Sequence, residues 1–241
     1  MRKSLLALAL AALSAQANAL TTGDIAFTSF NADEDGWSLV TFVDIAANTT
    51  IYFTDNEAVS TSAFNTGESA HQWNTGASVI AAGTVIRFSA IDSTTNLAAS
   101  AGTLTLANSS NLGINATNET IYAYLGTSYT NPTTFLAGIS SEGSANLNAA
   151  GLSANVNAVV VTNSADYAEY AGARSGETDF AAYKAKVFDA ANWNIVVGGD
   201  NSSVVPNTTA FTITPVPEPE TYALMLAGLG LVGAMARRRK A

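Results

Sequence analysis

GDIAFTSFNADEDGWSLVTFVDIAANTTIYFTDNE, residues 23–57, decides the fold. Trp37, Leu39, Thr41, Val43 and Ile45 alternate with Ser38, Val40, Phe42 and Asp44. A period of two, rich in aromatic and β-branched residues, is the signature of a strand with two unlike faces. Ile25–Phe30 forms a second strand before the Asp35-Gly36 turn, and Thr50–Thr54 a third after the Ala46-Ala47-Asn48 turn.

The same rhythm continues outward. Further short strands are expected at Val85–Ala90, Thr103–Leu106, Thr120–Tyr124 and Phe135–Gly138, with turns at Ala82-Gly83 and Asn111-Leu112-Gly113. Ala158–Val161 is a continuous apolar run suited to a strand buried on both faces. Ser60–Gly76, holding Phe64, His71 and Trp73, breaks the rhythm as a polar loop, and Ser140–Asn155 is a mobile excursion rich in small residues. Phe180, Tyr183, Lys184, Val187 and Phe188 recur at helical spacing, capped by Thr178 or Asp179. A short helix is also expected just before Arg174. Trp193–Val197 and Ala210–Thr214 close the domain as strands. The expected class is mainly β, an antiparallel β-sandwich with one or two short helices.

Both ends carry a different chemistry. Residues 1–19 have the form of a secretory signal peptide: Arg2 and Lys3, an apolar centre from Leu5 to Leu13, then Ala17-Asn18-Ala19 as the cleavage site, with Leu20 as the mature start. Residues 20–214 are the exported domain. Residues 215–241 hold a stiff Pro217-Glu218-Pro219 element, an uncharged run from Thr221 to Ala236, and Arg237, Arg238, Arg239 and Lys240. As a helix that run spans roughly 24 Å, enough to cross a thinned bilayer. The basic end would stay in the cytoplasm. Gly228, Gly230 and Gly233 match a dinucleotide-binding spacing but lack the strand–turn–helix setting it needs.

In motif, apolar helix, basic end and terminal position, this tail resembles the PEP-CTERM sorting signal of Gram-negative bacteria. The resemblance implies an inner-membrane anchor, recognition of Val216, Pro217, Glu218 and Pro219 by a membrane exosortase, and passage to the cell surface or matrix. The blocks GDIAFTSFNADEDGWSLVTFVDIAANTTIYFTDNE and YAEYAGARSG…FDAANW loosely resemble exported lamin-tail-like β-sandwich domains. That resemblance implies fold and location and supplies no catalytic residue.

Composition narrows the function. Residues 20–217 carry four basic and 17 acidic side chains, a net charge of −13, which argues against a nucleic-acid partner. The chain has no cysteine, so it offers no thiolate nucleophile or thiolate metal site. Asn31, Asp33, Asp35 and Gly36 follow the first half of a calcium loop, but Phe42 stands where the bidentate Glu belongs. Two readings stay open: calcium completed by Asp55 or Glu57, or an acidic hairpin turn. His71 is the only histidine, so a Ser-His-Asp set or a histidine-assisted metal site must use it. Trp37, Trp73, Tyr122 and Tyr124 are either core or sugar-stacking residues. Arg174 is expected to satisfy carbonyls or a carboxylate inside the fold.

The leading expectation is a non-enzymatic exported surface or matrix protein, associated with exopolysaccharide or biofilm and needing no cofactor. The alternatives are a calcium-dependent carbohydrate-binding module and a secreted hydrolase.

Overall fold

The computed structural model describes residues 19–214 and 224–229. Two six-stranded sheets face one another. The first contains β1 (Ile25–Asn31), β2 (Gly36–Thr41), β7 (Val85–Ser89), β8 (Ala98–Ala99), β13 (Ala165–Tyr170) and β15 (Trp193–Val197), in the order β15-β13-β1-β2-β7-β8. The second contains β3 (Thr50–Thr54), β6 (Ala70–Asn74), β9 (Thr103–Asn108), β10 (Thr120–Ser128), β11 (Asn131–Ser140) and β12 (Ala158–Val160), in the order β12-β11-β10-β3-β6-β9. Pairing within them is antiparallel except at the β11–β12 edge. Two small two-stranded sheets add β4 (Ala58–Ser60) with β5 (Ala63–Phe64), and β14 (Ser175–Glu177) with β16 (Thr212–Ile213), the latter parallel.

Aromatic rings join the sheets. From the first come Trp37 and Phe88, from the second Phe53 and Trp73. Their centroids lie 4.9 Å apart for Phe53–Phe88 and 5.3 Å apart for both Trp37–Phe53 and Trp73–Phe88. Burying each ring stabilises the fold by roughly 1.5–3 kcal/mol. Every residue of β1 and β2 is buried, and helix α2 (Phe180–Val187) packs against β1. Val40, on the polar side of the alternation, is as buried as Leu39. Asp179 caps α2 by accepting from the N–H of Ala182 at 2.8 Å, as expected of an N-cap carboxylate.

Three stretches differ from the sequence reading. Residues 165–170, just before Arg174, form strand β13 rather than a helix, held between β1 and β15. Its alternating burial outweighs the helix preference of its alanines. Ser60–Gly76 is not a polar loop. It holds β5 and the central strand β6, which sends His71 and Trp73 inward and Gln72 outward. Ser140–Asn155 contains helix α1 (Ala145–Ala149), and burial of Leu147 and Leu152 on the outer face of the second sheet pins it. Of the two readings open for Trp37, Trp73, Tyr122 and Tyr124, burial selects the core, so none is free to stack on sugar.

The last packed segment runs beside the first sheet. Phe211 is buried against Tyr170, Tyr183 and the Arg174 guanidinium, and its N–H donates to the carbonyl of Gly83 at 2.8 Å. Gly83 has φ +86°, and a Cβ there would strike the carbonyl oxygen of Phe211. Arg174 plays the interior role expected of it, donating to the Thr209 carbonyl at 3.1 Å beside Glu169.

Candidate functional site

Strand pairing gathers carboxylates at one end of the second sheet, beside its two middle strands β3 and β10. Thr54 pairs with Tyr122, so the end of β3 and the start of β10 lie together. Asp55 follows the one and Glu119 precedes the other. The Asn65–Glu68 connection, Asn115, Asn118 and Glu142 complete a cleft of about 230 Å³. Asp55, Glu57, Glu68, Glu119 and Glu142 line it, and no Lys, Arg or His does.

Local hydrogen bonds fix these side chains. Asp55 Oδ1 accepts from Ser69 Oγ at 3.3 Å, and Glu119 Oε2 from the Asn115 N–H at 2.9 Å. Glu142 Oε1 accepts from Thr120 Oγ1 at 2.6 Å and Asn146 Nδ2 at 2.7 Å. Asn56 braces the wall, donating to Thr54 Oγ1 and accepting from the Glu68 N–H.

Asp55 and Glu119 are each only 7% exposed. Burial, then repulsion from Glu119 and Glu68, pushes the Asp55 carboxyl up to about 8. Burial pushes Glu119 up to about 7, with Glu68 and Glu142 adding to the rise against the bond from Asn115. Near neutral pH Asp55 and Glu119 therefore still hold protons in part. The cleft attracts cationic groups and repels anions.

Of the residues expected to hold calcium, only Asp55 and Glu57, the two offered to complete the site, line this cleft. Asn31 Oδ1 accepts from the N–H groups of Asp33 and Glu34, both at 3.1 Å, which builds the hairpin turn. Asp33 Oδ2 accepts from Asn201 N at 2.7 Å and Nδ2 at 3.0 Å. Asp35, at φ +56°, accepts from the Ile114 N–H at 2.6 Å. The three thus face protein donors in different loops, the arrangement of the acidic-turn alternative. Among the described residues no group of three or more His, Cys, Asp or Glu is placed to hold a metal. Glu68, Glu119 and Glu142 were not singled out as a cluster from sequence. Their signal was position, next to the ends of strands that pair.

His71 lies under the cleft with Asp55 and Ser69 around one internal gap. Its Nε2 is 2.9 Å from the Ile91 carbonyl oxygen, so that nitrogen carries the proton and donates. Burial lowers its pKa and keeps the ring neutral. Ser69 Oγ donates to Asp55, so no serine–histidine relay forms there.

At the N-terminal end of the described residues Ala19 is exposed and Leu20 is buried in the core. Ala17 lies outside the described residues, as do Val216–Pro219, Arg237–Lys240 and most of the expected membrane helix. Residues 224–229 are helical and exposed. Among the described residues no helix is long and apolar enough to cross a membrane.

The described chain is thus an acidic β-sandwich with a carboxylate-lined cleft at one end of its second sheet. Residues 215–240 match the family model described as PEP-CTERM protein-sorting motif. The motif is the kind that an exosortase, a membrane enzyme, processes on exported proteins. Neither a curated protein nor a solved structure matches the chain. The lamin-tail-like resemblance rests on its two sequence blocks alone.

Proposed function

We propose that this chain is a non-enzymatic surface or matrix protein. On this reading residues 1–19 direct export, and the apolar run and basic end of 215–241 hold the chain in the inner membrane. An exosortase then cuts near Val216–Pro219 and passes the acidic sandwich to the cell surface or the exopolysaccharide around it. One observation carries the reading: the matched sorting motif begins at residue 215, with only Thr214 between it and β16, the last strand among the described residues. The non-enzymatic part is supported by His71, the only histidine, being committed to the Ile91 carbonyl inside the core.

A second reading, carbohydrate binding, is favoured by the cleft. Buried carboxylates without a neighbouring cation destabilise a fold, and such groups cluster at binding sites. Calcium is not needed for it.

Ending the chain after Thr214 tests the sorting reading. The truncated protein should leave the envelope fraction and collect, folded, in the periplasm or medium. Retention of the truncated form in the envelope would contradict it.

A further inference from the structure

A second depression adjoins the acidic cleft. It has a volume of about 380 Å³, and Asn56, Asn65 and Thr66 line both. Its other walls include Phe64, Asn108 and Tyr129. No charged side chain lines it. The groove therefore sets two half-buried aromatic rings among amides and hydroxyls.

That lining selects a ligand class. A purely apolar ligand would leave the asparagines unpaired, and an ion would find no charge. A sugar ring offers both an apolar C–H face for an aromatic ring and hydroxyls for amides. Phe64 is a stiff platform, packed on Tyr124 at 5.0 Å, Phe135 at 5.3 Å and Tyr122 at 5.7 Å. Tyr129 sits at the β10–β11 turn, where its carbonyl accepts from Tyr124 Oη at 2.6 Å. Rings held in place before binding lose little entropy on binding.

The neighbouring cleft adds a charge requirement. Asp55 and Glu119 are more than nine-tenths buried, face the cleft, and have no cation among its lining residues. A ligand ammonium group would supply that missing partner. A carboxylate or sulfate would meet five acidic side chains.

We propose that groove and cleft together bind an oligosaccharide containing free amino sugars, one ring resting on Phe64 and Tyr129 and an ammonium group on the next entering between Asp55 and Glu119. Because Asn56, Asn65 and Thr66 stand between the two depressions, at least two sugar units are required. The idea extends the carbohydrate reading but does not depend on tail processing. Failure of the titration below would leave the truncation experiment intact, and the reverse holds too.

The test is calorimetric titration of the full chain, purified in a zwitterionic detergent without a sugar headgroup. The probes are a short glucosamine oligomer, its fully N-acetylated counterpart and a uronate oligomer of equal length, near neutral pH. The glucosamine oligomer should bind at least about tenfold tighter than the N-acetylated one, the scale of one charge contact. The uronate should give no heat. Tyr129→Ala should weaken both bound oligomers about tenfold. Asp55→Asn with Glu119→Gln, which removes charge without removing volume, should erase the preference for the amine and leave binding of the N-acetylated oligomer unchanged. Equal binding of the two glucosamine forms, preference for the uronate, heat from none of the three, or an unaffected Tyr129→Ala variant would each overturn the proposal.

Discussion

Asp55→Asn is expected to stabilise the fold on the alkaline side and to leave it nearly unchanged in acid. Asp55 titrates near 3.8 when unfolded and near 8 in the fold, and Glu119 near 4.5 and near 7. Between those values the folded state binds more protons than the unfolded state. Stability attributable to the pair is therefore complete below about pH 4 and falls as pH rises, until both acids are ionised. Each pKa unit corresponds to about 1.4 kcal/mol. Burial is the largest cause of both rises, and together they set a penalty on the order of 5–10 kcal/mol at alkaline pH. Removing the Asp55 charge should recover roughly half of it. Denaturant unfolding at about pH 4 and about pH 8.5 checks this. A gain of equal size at both pH values, or none at the higher, would contradict the description of the cleft.

Phe211→Ala should have the larger effect on the fold at neutral pH. The ring is buried against Tyr170 and Tyr183 and lies under the Arg174 guanidinium. Truncating a buried Phe costs roughly 3–5 kcal/mol. It also removes the apolar partner of a buried cation. At about 2–4 °C per kcal/mol for a domain of this size, the melting temperature should drop by roughly 10 °C. The loss should spread along the chain, because Arg174 holds the Thr209 carbonyl and Tyr183 Oη donates to that of Thr212 at 2.8 Å. Increased proteolysis at residues 202–214 would accompany it. A shift under about 2 °C would show that the segment contributes little.

The sandwich was legible where one face of a strand is buried and the pattern stays clean. Thr50–Thr54 and Trp193–Val197 form strands with those bounds, and Phe180–Val187 forms the helix its spacing called for. Legibility failed where tertiary pairing overrode local preference. Residues 165–170 look helical in isolation, yet they fill the gap between two strands. His71 looks like a loop residue because its flanks are polar, but it occupies an inward position of a central strand. The cleft was legible only in part. Asp55 and Glu57 stood out at the end of β3, whereas their partners come from distant connections that only strand register brings close.

The central claim is that the acidic sandwich works beyond the inner membrane after its tail has been read and removed. The most direct test is the intact mass and location of the mature protein from its native host. The account predicts a species beginning at Leu20, ending near Val216–Pro219, and found at the surface or in the medium. A full-length chain still carrying Met1 and Arg237–Lys240, dissolved in the cytosol, would contradict it.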